Sequence, residues 1–216
     1  MSRRVEQGQA TREQLVAVAT ELFAKEGYEG TSIEAVLARS GMSRGALYHH
    51  FASKEALFEA VLERVEADIA ERLVNAARKA PDAVGQLRAG CLAWLRVADD
   101  RVAQQISLID APSVVGWQKW REIDGRYGFG LLKAALGAVA AEGKLRADLV
   151  DTLAHMLLAS MLELALVIAR ADDRRTALRN AETAVDELLA RLLDLSPSPR
   201  GASPRRRRPR GAADGR

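Results

Sequence analysis

The sequence is short of several residue types, and each shortage narrows what the chain can be. One cysteine, Cys91, stands alone among 216 residues. No intramolecular disulfide can form, and nothing points to an oxidising compartment. Aromatic residues make up 5% of the chain, so any core is mainly aliphatic. β-branched runs are scarce and there is no strand-like alternation, which leaves no sheet to build. The opening stretch MSRRVEQGQATREQ has no apolar centre and is not a signal peptide. The most apolar segment, 153–169, holds His155 and Glu163 and falls short of the ~20 apolar residues of a membrane span. A cytoplasmic protein with no membrane association is expected. There is no glycine-rich phosphate loop and no nucleophile elbow, so no enzyme is expected, no catalytic residue is assigned and no cofactor is implied. No metal site is expected either. His49 and His50 are adjacent, and neighbours on a helix diverge by ~100°, so they do not chelate one ion together.

What is present favours helices. Apolar residues are 48% of the chain and Leu, Ala, Arg and Glu dominate, which suits an all-α protein of one large or two small domains. The net charge of +3 is misleading. Residues 200–216 carry seven arginines against Asp214, and the rest of the chain holds 25 basic and 28 acidic side chains, a net of −3. The basicity belongs to a tail, so any nucleic-acid reading must rest on local placement of charge.

Helical spacing and capping signals divide the chain. Residues 1–10 read as a flexible arm. TREQ (11–14) has capping-box spacing, and Leu15, Val18, Ala19, Leu22 and Phe23 then predict a first helix over 12–26 that ends at Gly27. TSIE (31–34) opens a short second helix, Gly41 ends it, and Ser43 caps a third in which Leu47 and Phe51 face inward. Ser53 caps a long fourth helix reaching to about Lys79. Further helical patterns cover roughly 82–98, 101–110, 117–125, 127–142, 148–171 and 175–194. Residues 196–216, rich in Pro, Ser, Gly and Arg, read as a disordered tail.

Two short helices joined at a glycine form a helix-turn-helix. Its outward face carries the chemistry. Arg44 and Tyr48 share one line, Gly45 and His49 the next, and Gly45 with Ala46 leave little bulk, so the helix can approach another surface closely. Arg44 sits in the first turn, where the helix dipole disfavours a cation, unless its partner is an anion or a guanine edge.

At this point the segment 11–65, with a first helix ending LF…G, TS opening the second, SG-S-G-LY-HF through the third and SKE-L opening the fourth, resembles the DNA-binding domain of the tetracycline-repressor (TetR) family. The resemblance implies an N-terminal three-helix helix-turn-helix DNA-binding domain over 11–65 and a larger C-terminal helical ligand-binding and dimerisation domain over 66–195. It implies a homodimer on double-stranded DNA with a palindromic operator, answering to a small-molecule ligand. It places Thr31 and Ser32 near phosphates, Ser43 at the helix start, and Arg44, Gly45, Ala46, Tyr48 and His49 along the major groove. Tyr48, His50 and Lys54 become backbone contacts. Ala46 departs from the family's frequent Thr, so one hydroxyl contact is lost.

In the larger domain, Trp94, Trp117, Trp120 and Tyr127 are the candidate ligand contacts. Trp117 and Trp120 are three apart on one helical face, with Pro112 and Gly116 breaking the helices before them. Asp110, Glu122 and Asp124 read as surface charges. The helix 148–171 is apolar over most of its circumference, and the last helix carries a wide apolar stripe. A dimer interface is expected to draw on Leu157, Met161, Leu164, Val185, Leu188, Leu189 and Leu192. The expected function is a ligand-responsive repressor. The alternatives are a DNA-binding regulator without a ligand, an activator, or a helical adaptor that has lost DNA binding.

Overall fold

The computed structural model describes residues 3–97 and 99–194, and no strand forms among them. The first four helices are α1 (Arg3–Gly30), α2 (Ile33–Ser40), α3 (Arg44–His50) and α4 (Lys54–Ala77). They are followed by α5 (Ala83–Val97), α6 (Arg101–Ala103), a π-helical segment Gln104–Asp110, α7 (Ala111–Val114) and α8 (Trp117–Asp124). A second π-helical segment, Gly125–Phe129, leads into α9 (Gly130–Ala141), then α10 (Val150–Arg170) and α11 (Arg174–Asp194).

The three serine caps form as their spacing demands. Ser32, Ser43 and Ser53 accept hydrogen bonds from the backbone N–H groups of Ala35, Ala46 and Ala56 at 3.1, 3.1 and 3.2 Å. Each satisfies a donor that a helix start leaves free. Gly41 closes α2 in the left-handed region at φ 70°, and its N–H reaches the Leu37 carbonyl at 3.0 Å. Leu15, Phe23, Leu47, Leu57 and Phe58 are fully buried between α1, α3 and α4. Phe58 meets both Phe23 and Tyr28 edge-on, with ring centroids 5.2 Å apart in each pair.

Residues 3–10 are helical and continue into α1, so the expected flexible arm over 1–10 does not hold where the chain is described. Thr11 caps nothing. Its hydroxyl donates back to the Gln7 carbonyl at 3.0 Å, inside a helix that Glu6, Gln7, Gln9 and Ala10 extend toward the N-terminus. Gly27 does break α1, at φ 72°. The expected domain boundary near residue 65 falls within α4, which has no break there. That single helix belongs to both halves of the molecule: Leu57, Phe58 and Val61 in its first half are buried with the DNA-binding domain, and Ile69 further along is buried with the larger one. The expected tail, 196–216, lies outside the described residues.

In the larger domain α11 is bolted to α5. Arg88 holds Asp186 with two hydrogen bonds of 2.6 Å, and Arg96 holds Glu182 at 2.7 and 3.0 Å. Leu157, Met161, Val185 and Leu189 are buried within this chain, at 4, 3, 1 and 3% exposure, so they are not free to meet a partner as expected. They fill the core among α5, α10 and α11. The wide apolar circumference of the two last helices is divided: one side packs at home, and Met156, Val167 and Leu188 stay exposed on the other. Leu164 and Leu192 are half-buried. The helical stretch Ala147–Arg170 is long and apolar enough to cross a membrane by composition alone, but it supplies Ala154, Leu158 and Ile168 to the core as well.

Candidate nucleic-acid interface

Helix α3 stands at the molecular surface with Leu47 and Phe51 as its anchors and its other face open. Arg44, Gly45, Tyr48 and His49 are exposed together, and Ala46 is half-buried beside them. A Cβ added at Gly45 would meet nothing nearer than the Ser43 hydroxyl, 4.0 Å away, so the helix is bare there. The guanidinium of Arg44 lies 2.5 Å from the carboxylate of Glu34 on α2. Hydrogen bonds from the Glu34 backbone N–H and from Arg44 hold that carboxyl below the usual range. Both side chains are exposed, so the pair is weak and Arg44 can be drawn off by a stronger acceptor.

The structure alters three details of the sequence reading. Thr31 is buried, at 2% exposure, and its hydroxyl donates to the Gly27 carbonyl at 2.8 Å. It therefore cannot stand on a phosphate as expected, whereas Ser32 is exposed at the start of α2. His49 and His50 do not go separate ways: their rings meet edge-on, 5.1 Å apart, where α3 ends. His50 is half-buried, and the backbone of α1 passes it at Gly8. Lys54 rests its ammonium 4.0 Å over the Tyr28 ring rather than reaching freely outward. Among the described residues no group of three or more His, Cys, Asp or Glu could hold a metal ion.

Behind the helix-turn-helix, the turn at Gly27 and Tyr28 is tied to the larger domain. The Tyr28 backbone N–H donates to Asp110 at 2.8 Å, and the Gln105 amide donates to the other oxygen of that carboxylate at 3.0 Å. Asp110 is thus no surface charge. Burial raises its pKa, against the opposing pull of these two donors. Asp124 is also buried, at 6% exposure, and burial raises its pKa too. Glu66 on α4 is buried at 2% and accepts a hydrogen bond from the Ser107 hydroxyl in the first π-helical segment. Burial, with the Asp124 charge adding to it, pushes the Glu66 carboxyl up to about 7.

A cavity of about 120 Å³ opens among α4, α5, α9 and α10. Leu73, Leu87, Leu132, Leu158 and Met161 give it apolar walls, and Trp94 lines it. Of the four aromatic residues expected to touch a ligand, Trp94 lines this cavity, and Trp117, Trp120 and Tyr127 do not. Trp117 is 62% exposed and tilts against buried Trp120 at 4.8 Å, because their three-residue spacing turns them toward each other instead of toward a void. Tyr127 lines an outer, more polar cleft with Arg78 and Arg126. The two spaces share Val74 and Leu131 as walls. Gly128, from the second π-helical segment, lines the inner cavity, and its neighbours Arg126 and Tyr127 reach Glu63 on α4 at 2.6 and 3.4 Å. No motif announces this cavity in the sequence, because it is made of ordinary core residues left slightly apart.

Comparison with known proteins agrees with this architecture. Residues 15–61 match the model of bacterial regulatory proteins of the tetR family, and residues 84–192 match the tetracyclin repressor-like C-terminal domain. The chain belongs to the TetR family. It is a TetR-family transcriptional regulator whose N-terminal domain is a helix-turn-helix DNA-binding domain. A TetR-family transcriptional regulator from Pectobacterium atrosepticum superposes with a TM-score of 0.75 at 30% identity, over 89% of this chain and 98% of that one. The HTH-type transcriptional regulator AcrR of Shigella flexneri is 38% identical over 72 residues, 33% of this chain and 34% of AcrR. The chain thus spans about a third of that relative's length. The regulator FadR from Bacillus subtilis, solved in complex with stearoyl-CoA, shares the TetR fold, with a TM-score of 0.66 at 21% identity over 82% of this chain and 96% of that one.

Proposed function

We propose that this chain is a cytoplasmic, ligand-responsive repressor that binds a palindromic operator as a homodimer. The observation that carries the reading is the sharing of α4. One end of that helix packs against α1, which in turn holds α3, and the other forms a wall of the cavity through Leu73 and Val74. A molecule that spreads the cavity presses on Gly128, and the Glu63 contacts of Arg126 and Tyr127 pass that displacement to α4. The Tyr28–Asp110 hydrogen bond sets the orientation of α1 against the larger domain. A ligand that favours the displaced arrangement disfavours the DNA-bound one by the same coupling free energy.

DNA recognition falls to Arg44, Tyr48 and His49 in the major groove, with Ser32, Ser43 and His50 near phosphates, joined by Lys54 when it leaves the Tyr28 ring. One seven-residue helix reads only a few base pairs, so a two-fold partner is needed to read a second half-site, about 34–36 Å along the duplex. The exposed stripe of α10 bearing Met156, Ala159, Ser160 and Val167, beside Leu188 of α11, suits the partner. Its small residues let two helices approach closely, and it is uncovered, with the exposed Glu163 between Ser160 and Val167. A small-molecule ligand has a precedent in FadR, although the apolar cavity here holds no cation for a CoA phosphate.

Selection of bound duplexes from a random pool with the full chain tests this reading. A two-fold symmetric site is expected. Enrichment of an asymmetric site, or of none, overturns it.

A further inference from the structure

We infer that Glu34 is a positioning residue for base readout: its carboxylate braces the Arg44 guanidinium, so that Arg44 reads a base edge and adds little attraction to phosphates. The inference rests on the major-groove assignment of Arg44 above. Glu34 stands in the first turn of α2 and Arg44 in the first turn of α3, and the turn at Gly41 brings them to 2.5 Å. The carboxylate is itself tethered. It accepts from its own backbone N–H at the start of α2, where the helix dipole favours an anion. That hydrogen bond and the one from Arg44 keep it ionised. A fixed anion thus holds a long, flexible cation. It also accounts for a cation in the first turn of α3, a place the helix dipole disfavours.

Arg44 need not leave Glu34 to read a guanine. A guanidinium has several N–H donors in a rigid fork, and Glu34 takes one hydrogen bond, from Nη2. The two hydrogen bonds that guanine O6 and N7 accept can come from the remaining donors. An arginine that is already held loses less rotamer freedom when it meets the base. The same brace cancels the charge. A phosphate beside Arg44 meets the Glu34 carboxylate too, so the pair offers a backbone in the wrong register little net attraction. The surrounding segment behaves alike. Residues 11–65 carry six Arg and Lys side chains against eight Glu, and Arg39 on α2 is held by Glu21 on α1 at 2.7 Å. Nonspecific affinity grows with the phosphates neutralised, and these pairs keep that contribution small. An exposed pair adds little to stability, so the effect of Glu34 falls on recognition.

The test uses the full chain on the operator that selection yields, on its single-base variants and on a duplex of scrambled sequence. Four proteins are set beside the wild type: Arg44→Ala, Glu34→Gln, the double variant, and Glu21→Gln, which removes the same charge elsewhere in the domain. Arg44→Ala first locates the base pair at which preference relaxes. At that base pair Glu34→Gln should cut the wild-type preference by about threefold or more. It should also raise affinity for the scrambled duplex and steepen the salt slope there by about 0.9, the mark of one added phosphate contact. Glu21→Gln should leave the preference at that base pair within about twofold of the wild type. In the Arg44→Ala background, Glu34→Gln should change the preference no further. An unchanged preference in Glu34→Gln overturns the inference. An equal loss in Glu21→Gln does so too, because net charge is then the cause. A further loss once Arg44 is gone also overturns it, because Glu34 then acts without Arg44. If Arg44→Ala relaxes no position, the groove assignment falls and this inference with it. If Arg44→Ala relaxes one and Glu34→Gln does not, this inference alone falls.

Discussion

The two halves of the molecule are built to different standards. In the DNA-binding half each of α2, α3 and α4 starts on a serine whose hydroxyl closes a backbone donor, and three aromatic rings interlock around Phe58. Among its described residues the larger half has two π-helical segments, buried carboxylates at Glu66 and Asp124, two indole N–H groups without partners and a void. A surface that reads base edges must hold its side chains in place before DNA arrives. A domain that senses a molecule needs space and arrangements of nearly equal energy. The contrast fits the proposed function: irregularity is concentrated in the half to which ligand sensing is assigned, and π-helical insertions often mark functional sites.

Truncating each core sharpens that comparison, beginning with the largest effect. Phe58→Ala removes the ring that Phe23 and Tyr28 both pack against, and should cost about 3–5 kcal/mol of stability in thermal or denaturant unfolding. A cost near 1 kcal/mol would mean that the DNA-binding half is as loosely packed as the cavity walls.

Glu66 gives the next effect. Its folded pKa is raised from the ordinary 4.5 to about 7, so the native state keeps the proton through that interval while the unfolded chain loses it. Its contribution is complete below the unfolded value and is lost as pH rises through the folded one, up to about 3 kcal/mol in all. Wild-type stability should therefore fall between about pH 4.5 and 7, and Glu66→Gln should flatten the profile there. An identical slope in the variant would assign the pH dependence elsewhere.

Gly90→Ala is expected to stabilise the larger half by up to about 1 kcal/mol, read as a rise of a few degrees in Tm, because α5 gains a helix former and the methyl enters open space. A fall in Tm would show that the void is not there. Glu34→Ala should leave Tm unchanged and raise affinity for nonspecific DNA a few-fold, since an exposed carboxylate beside Arg44 is removed. Unchanged nonspecific affinity would mean that Arg44 does not face DNA.

How far the sequence could be read follows the same divide. The serine caps, the turn at Gly41 and the inward pair Leu47 and Phe51 are local signals, spaced a few residues apart, and they form as expected. The cavity depends on how far α5 sits from α9 and α10, a distance that no local pattern encodes. Asp110 reads as a surface charge until the fold brings Tyr28 to it from 82 residues away. The apolar stripes of α10 and α11 were visible as stripes, but which edge faces home depended on the docking of α5. Leu157, Met161, Val185 and Leu189 accordingly lie on the side buried within this chain, not on the expected interface. Thr31 was misplaced by a single backbone break at Gly27, which turns its hydroxyl inward.

The central claim is that α3 reads base edges in two symmetric half-sites. The most direct measurement is the base preference and salt dependence of Arg44→Ala beside the wild type, on variants of the selected operator. The account predicts relaxed preference at one position in each half-site, a loss of about 1–3 kcal/mol for each contact removed, and little change in the salt slope. A uniform loss across all sequences with a reduced salt slope would make Arg44 a phosphate contact and contradict the claim.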